Sequence, residues 1–212
     1  MVRTLRVTTI TFDCYGTLFD WLYGIKSVLK YVLGNEYLDE FFMLEREELI
    51  SRKSYSQILK DCLRKLCSTH GVKYEERYGE ALVLAFAKSP PFPDTVPALK
   101  LLKEAGFRVS IISNTERRLI KITLAGMEHL IDSVITAEDT GHYKPSLKAF
   151  TEALKLLGVR RDEVVHVSAY PYYDLVPAKN LGIKTVMVDR YGFNWELRIR
   201  TLEDLLNVLS KL

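Results

Sequence analysis

The sequence predicts an α/β protein with a doubly wound parallel-sheet core into which an all-helical segment is inserted. After a proline-rich break at residues 89–94, short apolar runs alternate with helical patterns, which is typical of a parallel sheet covered by helices on both faces. Residues 21–88 carry helical periodicity and no convincing strand. One strand-like run, residues 7–13, precedes the helical segment, so both ends of the chain contribute to the core.

The first predicted element is a short buried strand. Residues 7–13 read VTTITFD, a β-branched and apolar run that ends just before Gly16, where a sharp turn is expected. The helical segment is clearest in residues 54–71, SYSQILKDCLRKLCSTHG. There apolar residues recur at intervals of three and four, and Gly71 can end the helix. The prolines of SPPFPD, residues 89–94, cannot continue helical structure.

The remaining elements alternate between helix and strand. Asp94 is predicted to cap a helix that runs to Ala105. Pro145 is predicted to occupy the first turn of a helix that runs to Leu157. The other predicted helices are residues 116–125, 175–181 and 202–209. The predicted strands are residues 107–113, 133–137, 164–168 and 184–188.

These elements predict two domains. A Rossmann-like core is expected to comprise residues 1–17 and 92–212, and a helical cap residues 18–91. The chain has 212 residues, of which 48% are hydrophobic, and this is enough for a full core with a small accessory domain. In such a core, ligands bind beyond the carboxyl ends of the strands.

Composition excludes several classes of function. The 30 Lys and Arg barely outnumber the 27 Asp and Glu, and they are spread along the chain, which argues against nucleic-acid binding. No run approaches the roughly 18 apolar residues of a membrane-spanning helix. Residues 1–9 lack the apolar run of a signal peptide. The three cysteines lack zinc-ligand spacing, and because an odd count without a signal peptide is typical of a reducing compartment, we expect a cytoplasmic protein.

Polar residues recur where the predicted strands end. They are Asp13, Ser113 with Asn114, Lys144, Ser168 and Asp174. Each alone has an ordinary explanation, such as a turn residue, a helix cap, an exposed charge or a core hydroxyl. Because the carboxyl ends of parallel strands share one edge of the sheet, their combination predicts a single site.

With these residues the chain resembles the haloacid dehalogenase superfamily over nearly its whole length. The first motif is matched by DCYGTL at residues 13–18, and PFPDTVPALKLLKEAG at residues 91–106 resembles the stretch that follows the cap. The second motif is matched by Ser113 and Asn114, the third by Lys144 and Pro145, and the fourth in part by Val167, Ser168, Asp174, Ala178 and Gly182.

The resemblance implies a role for each residue. Asp13 would be a nucleophile that forms a covalent ester with the substrate. Lys144 would hold Asp13 ionised and stabilise charge in the transition state. Thr17, Ser113 and the backbone amides near Asn114 would bind a substrate anion.

Two departures distinguish branches of the superfamily. Its phosphatases have a second aspartate two residues after the nucleophile, which acts as general acid, and this chain has Tyr15 there. They also have a magnesium-binding aspartate in the fourth motif, where this chain has Ala169. A hard cation needs carboxylate oxygens to offset its dehydration, so the magnesium site is expected to be damaged.

The dehalogenases of the superfamily tolerate both changes, because halide leaves without a proton and a 2-haloacid has no phosphate. The resemblance therefore implies hydrolysis of a small anionic 2-haloacid without metal or cofactor. It also implies that Tyr15 lines the pocket, that Ser168 corresponds to a catalytic serine, and that Arg46 corresponds to the cap arginine that guides halide out. Because such dehalogenases are often dimers, we expect a monomer or homodimer.

Three features depart from the dehalogenase pattern. Phe150 replaces a tyrosine, Tyr170 replaces an asparagine, and SAYPYYD at residues 168–174 is one residue longer. All three lie near the expected position of the hydrolytic water, where Tyr170 could instead shape an apolar substrate pocket. Cys14 and His166 are expected to be structural. Two alternatives stay open: a phosphatase for a small phosphate ester with weak or altered magnesium use, and a non-catalytic binding protein of the same fold.

Overall fold

A single parallel sheet carries the candidate site. The computed structural model describes residues 7–51 and 53–211, so residues 1–6 and 212 of the predicted core and residue 52 of the predicted cap lie outside the described part. The sheet has six strands in the order β3-β2-β1-β4-β5-β6, all parallel. The strands are β1 (Thr9–Phe12), β2 (Arg108–Ser113), β3 (Ser133–Thr136), β4 (Val164–Ser168), β5 (Lys184–Val188) and β6 (Arg198–Ile199).

This strand order confirms the predicted doubly wound, Rossmann-like core. The strands β4 and β5 have the predicted bounds, and β2 and β3 differ from them by one residue at one end. The strand β6 was not predicted, because two residues are too short to show an alternating pattern. It pairs in parallel with the end of β5, where Met187 is opposite Arg198.

Helices account for the rest of the regular structure. They are α1 (Trp21–Leu33), α2 (Leu38–Glu48), α3 (Tyr55–Thr69), α4 (Glu76–Ala87), α5 (Thr95–Glu104), α6 (Arg117–Thr123), α7 (Ala137–Thr140), α8 (Leu147–Leu157), α9 (Val176–Asn180) and α10 (Leu205–Leu209). Ser54 caps α3 by accepting a hydrogen bond from the Gln57 backbone N–H. Among the described residues between 25 and 85 there are only helices, turns and loops, as predicted.

Two predicted helix starts were wrong in their detail. Asp94 precedes α5 but does not cap it, because its carboxylate instead forms charge-assisted hydrogen bonds with Arg190. Pro145 lies outside α8, which begins at Leu147, and the peptide bond between Lys144 and Pro145 is cis. The predicted closing helix begins as a 3-10 turn at residues 202–204 and becomes α-helical only in α10.

The turn after β4 is wider than an α-helical turn. Residues Pro171–Leu175 form a π-helical turn. In it the Leu175 N–H donates to the Tyr170 carbonyl at 3.4 Å and the Val176 N–H donates to the Pro171 carbonyl, so each bond spans five residues. The predicted helix 175–181 therefore begins inside this turn. A π-helical turn accommodates one residue more than an α-helical one.

Contacts group the chain into two units. One contains the sheet with α5 and α7–α10, from residues up to 19, 91–113 and 126 onward. The other contains α1–α4 and α6, from residues 20–90 and 114–125. None of the helices in the described ranges has both the length and the apolar character needed to span a membrane.

Candidate active site

The site begins at the point where the sheet reverses its winding. The strand β1 lies between β2 and β4, so the connections that leave these strands diverge and open a crevice at their carboxyl ends. Asp13 follows β1 directly, Ser113 ends β2, and Ser168 ends β4. The Asp13 backbone N–H donates to the Val167 carbonyl at 3.0 Å, which fixes Asp13 against β4.

Both carboxylate oxygens of Asp13 are held by side chains. Oδ1 accepts a hydrogen bond from Lys144 Nζ at 2.8 Å, and Oδ2 accepts one from Thr17 Oγ1 at 2.8 Å. Thr17 Oγ1 itself accepts from the Ala169 backbone N–H at 3.0 Å. Asp13 is only 6% exposed, so its carboxylate has few water neighbours and a fixed orientation.

A tight turn brings Thr17 back to Asp13. The backbone N–H groups of Leu18 and Phe19 donate to the Cys14 carbonyl, and Gly16 has a φ of +85°, which favours glycine. A Cβ at Gly16 would also lie 2.1 Å from the Tyr170 hydroxyl oxygen. The sequence therefore needs glycine here for its backbone conformation and for the close approach of the Tyr170 ring.

Lys144 joins two carboxylates. Its Nζ donates to Asp13 Oδ1, to Asp174 Oδ1 at 2.6 Å and to the Ile112 carbonyl at 2.9 Å. The side chains of Lys144 and Asp174 are 2% and 1% exposed. A buried ammonium group requires such acceptors. The π-helical turn brings Asp174 to this position.

Burial has the largest effect on the charges of this network. Burial raises the pKa of Asp13, and although Lys144 lowers it, Asp174 adds to the increase, so this pKa remains above its usual 3.8. Burial also acts to raise the pKa of Asp174, but the charge of Lys144 and the hydrogen bond from His166 outweigh it and lower this pKa. Burial lowers the pKa of Lys144, but the two carboxylates outweigh it and raise this pKa. At neutral pH, Lys144 is therefore an ammonium group and Asp174 a carboxylate.

Cys14 is adjacent to Asp13, but its thiol is buried and protonated. Its side chain is fully buried, in agreement with the expected structural role. Burial and the neighbouring charge of Asp13 raise the pKa of the Cys14 thiol well above its usual 9.0. A protonated, inaccessible thiol is unreactive.

The predicted substrate-binding residues lie in both units. Tyr15 and Ser113 belong to the sheet unit and are 8% and 3% exposed. The half-buried ring of Tyr170 is stacked on Tyr191, with ring centroids 5.3 Å apart. Asn114, which follows Ser113, groups with the helical unit.

Ser168 and Arg46 complete the set of residues predicted from the sequence. Ser168 Oγ accepts from the Tyr170 backbone N–H at 3.0 Å and so shapes the turn after β4. Arg46 lies on the exposed surface of α2 within the helical unit. The catalytic role of Ser168 and the halide-guiding role of Arg46 stay predictions.

The sequence analysis missed two members of the site. His166, expected to be structural, donates from Nε2 to Asp174 Oδ1 at 2.9 Å, and its Nδ1 shares a hydrogen bond with Thr11 Oγ1 at 2.9 Å. A single ionisable residue in the apolar strand VVHVS was the available signal.

The second missed member is Arg190, which holds the backbone at Thr17, the residue that donates to Asp13. Its Nε and Nη2 donate to the Thr17 carbonyl at 3.2 and 3.1 Å. Its guanidinium forms two hydrogen bonds with the Asp94 carboxylate, at 2.9 and 2.7 Å, and lies 4.1 Å from the Phe92 ring centroid. Arg190 follows β5, so extending the comparison of strand ends by one strand would have found it.

The donor set fits a divalent cation poorly. Tyr15 and Ala169 supply no carboxylate, and Ala169 is 1% exposed. Lys144 donates to Oδ1 of both Asp13 and Asp174. In the residues that the structure describes, no group of three or more His, Cys, Asp or Glu side chains is arranged to hold a metal ion.

Comparison with known proteins identifies the family. The model of the haloacid dehalogenase-like hydrolases matches residues 7–182. The chain is 27% identical over 224 residues to (S)-2-haloacid dehalogenase 4A of Burkholderia cepacia, covering 100% of this chain and 95% of that protein. It is 28% identical over 202 residues to glyceraldehyde 3-phosphate phosphatase of Methanothermobacter thermautotrophicus, covering 85% of this chain and 84% of that protein.

A solved structure has the same fold. L-2-haloacid dehalogenase from Xanthobacter autotrophicus, with chloropropionic acid covalently bound, matches with a TM-score of 0.86 at 20% identity, covering 97% of this chain and 99% of that chain. The chain therefore belongs to the haloacid dehalogenase-like hydrolase family. It is a hydrolase similar to the (S)-2-haloacid dehalogenases, and the resemblance inferred from the sequence motifs is confirmed.

Proposed function

We propose that this protein hydrolyses a short 2-haloacid without a metal ion, through a covalent ester on Asp13. One observation carries the proposal: a buried carboxylate is held at both oxygens by Lys144 and Thr17, while Tyr15 and Ala169 stand where a phosphatase needs its acid and its metal ligand. Identities of 27% to a dehalogenase and 28% to a phosphatase do not separate the two reactions. The choice therefore rests on the site.

In the first step, Asp13 attacks the carbon that carries the halogen. A carboxylate oxygen forms a bond to C2 of the substrate, and the carbon–halogen bond breaks as the halide leaves with the bonding electron pair. No proton is needed. Burial favours this step, because a carboxylate with a raised pKa and few water neighbours is a stronger nucleophile.

In the second step, water attacks the carbonyl carbon of the Asp13 ester. One proton of the water passes to a base, the bond between the carbonyl carbon and the substrate oxygen breaks, and the departing alkoxide takes the proton from that base to give a 2-hydroxyacid. Asp13 then releases the remaining water proton and is again a free carboxylate. We assign the base to Asp174. In the described residues both hydrogen bonds of the Asp174 side chain use Oδ1, which leaves Oδ2 to accept from water. Lys144 offsets the negative charge that develops on the ester oxygen.

The substrate carboxylate needs donors, because Asp13 and Asp174 together outweigh the single charge of Lys144. We propose that Ser113 and the backbone amide of Asn114 bind this carboxylate, while Tyr15 and Tyr170 contact the apolar part of the substrate. The proposed role of Arg46 in halide departure rests on the resemblance to the dehalogenases alone.

The second candidate is a phosphatase for a small phosphate ester, which the relative from Methanothermobacter thermautotrophicus favours. Expulsion of an alkoxide from phosphorus requires a proton donor and charge neutralisation. Tyr15 and Ala169 replace the usual source of each, which is why the haloacid reaction is preferred.

Parallel assays on one preparation distinguish these reactions. Halide release from (S)-2-chloropropionate and phosphate release from p-nitrophenyl phosphate with Mg²⁺ are each measured with and without chelator. We expect that chelator does not change the rate of halide release. We also expect halide release to be faster than phosphate release. Phosphate release that depends on Mg²⁺, with no halide release, would contradict the proposal. No activity in either assay would favour the non-catalytic alternative.

A further inference from the structure

His166 lies in the centre of the sheet, next to the charged network. It is fully buried on β4 and is opposite Thr11 of β1 in the strand register. Its ring contacts Phe150 of α8 edge-on, with ring centroids 5.1 Å apart. On β4, His166 is flanked by Val165 and Val167, which are apolar and fully buried. A buried imidazole in this apolar strand therefore depends on its hydrogen-bond partners.

The hydrogen-bond partners of His166 determine whether each of its ring nitrogens donates or accepts. Asp174 Oδ1 also receives the Lys144 ammonium, so it is a carboxylate oxygen and accepts from His166 Nε2–H at 2.9 Å. On the other side, Thr11 Oγ1 lies 2.9 Å from Nδ1 and 3.4 Å from the Val165 carbonyl. The Thr11 hydroxyl can donate to a neutral Nδ1. If Nδ1 carries a proton, the hydroxyl can accept from it and donate to Val165.

We propose that His166 is a positioning residue for ester hydrolysis: it fixes the Asp174 carboxylate so that Lys144 stays in place after Asp13 has become a neutral ester. This inference rests on the proposed function. Before attack, Lys144 is held between two carboxylates. Once Asp13 is esterified its charge is lost, and Asp174 is the remaining charged partner of Lys144 in the network.

The geometry explains why Asp174 alone can then hold Lys144 in place. Donors from Lys144 and His166 meet at the same oxygen of Asp174, so the plane of its carboxylate cannot turn without breaking one of these bonds. Oδ2 is thereby kept for the water. The bond from His166 also opposes protonation of Asp174 in the resting enzyme, because it favours the charged form.

The decisive variant is His166→Phe, which keeps a ring but removes both hydrogen bonds. In a rapid-quench experiment with (S)-2-chloropropionate, we expect its first turnover of halide release to remain within about threefold of wild type. We expect steady-state release to fall by about 10- to 100-fold, as is typical when a residue that orients an active-site group is lost. Mass spectrometry should then show substrate-derived mass accumulating on the peptide that contains Asp13.

Three further variants separate positioning from folding. His166→Gln offers an amide donor to Asp174 and should recover most of the steady-state rate. Thr11→Val removes the other anchor of the ring and should give a smaller loss of the same kind. Val186→Ala, a buried change on β5 outside the network, should lower stability but leave the ratio of the two steps unchanged. Equal losses in both steps for His166→Phe, or the same change of ratio in Val186→Ala, would overturn the inference.

A measurement without substrate tests the inference even if haloacids prove not to be substrates. Protein with ¹³C-labelled aspartate carboxyl groups is titrated by NMR, with the Asp174 signal assigned from Asp174→Asn. We expect the Asp174 pKa to rise in His166→Phe and to return towards wild type in His166→Gln. An unchanged Asp174 pKa in His166→Phe would refute the inference. Absence of halide release by the wild type would refute only the proposed function.

Discussion

Asp13 lies at the centre of the candidate site. Its carboxylate is oriented by Lys144 and Thr17 and desolvated by burial. We expect Asp13→Asn to reduce halide release at least about 1000-fold, because an amide does not attack carbon as a carboxylate does. Circular dichroism should be unchanged, since the two side chains are nearly equal in size.

The control for Asp13→Asn is another aspartate at the carboxyl end of a strand. Asp189 follows β5 and accepts a hydrogen bond from the Gly192 backbone N–H at 2.9 Å. Asp189→Asn should keep activity within about twofold of wild type. Wild-type turnover by Asp13→Asn would show that another group performs the chemistry.

The pH dependence of the first step follows from the raised pKa of Asp13. In the proposed reaction the carboxylate form of Asp13 attacks, so the rate should be at its maximum above the pKa of Asp13 in the folded enzyme and should fall as the pH is lowered through this pKa. Because burial, with a contribution from Asp174, holds this pKa above 3.8, we expect the acid limb of first-turnover halide release to lie above pH 3.8. Rapid-quench rates between pH 4 and 8 measure it, and a rate that is constant over this interval would contradict the assignment.

At the scale of elements, a buried ion pair holds the segment after β5 to the start of α5. Arg190 after β5 pairs with Asp94 before α5, and both side chains are about nine-tenths buried. Arg190 also holds the Thr17 carbonyl. Arg190→Met should lower the free energy of unfolding by about 3–5 kcal/mol, because it leaves the Asp94 charge buried without this partner. Urea unfolding measures the change.

The same variant should affect catalysis through Thr17. We expect kcat to fall while KM changes little, since Arg190 holds the Thr17 backbone and Thr17 in turn orients Asp13. Arg198 and Asp189 provide the matched control, as an ion pair at 3.6 Å whose arginine side chain is 45% exposed. Arg198→Met should change stability by less than about 1 kcal/mol. Similar losses in the two variants would show that the Arg190 pair has no special role.

The sequence predicted those parts of the site that chain order and strand ends determine. Asp13, Ser113 and Ser168 could be placed because each ends or follows an apolar run, and parallel strands bring such positions to one edge. The positions of His166 and Arg190 carried a signal in the sequence, but their roles could not be predicted, because these roles come from partners distant in sequence. His166 depends on a turn that places Asp174 against it, and Arg190 depends on an aspartate that local rules assign to a helix cap.

At the scale of the whole molecule, one fold serves two reactions. The chain is about equally similar to a dehalogenase and to a phosphatase, so the architecture itself does not select the leaving group. We expect the double variant Tyr15→Asp, Ala169→Asp to gain Mg²⁺-dependent hydrolysis of p-nitrophenyl phosphate, at least about tenfold above wild type, because it restores a proton donor and a carboxylate for the metal.

The two single variants and a chelator are the controls for that experiment. Each single change restores one of the two missing functions, so neither should reach the activity of the double variant, and chelator should abolish the gain. A double variant that folds, binds Mg²⁺ and remains inactive would mean that features beyond these two positions separate the reactions.

The π-helical turn at Pro171–Leu175 has a consequence for evolutionary comparison. An added residue can enter this loop without displacing the carboxylate that follows it, because the turn widens and Asp174 still reaches Lys144. With the one-residue-longer loop expected from the sequence, counting forward from β4 would assign the wrong counterparts beyond that extra residue, whereas superposition on Asp174 would not. Alignments of this family should place their gap between residues 170 and 174, and functional labels transferred across that gap should follow spatial position and not ordinal number.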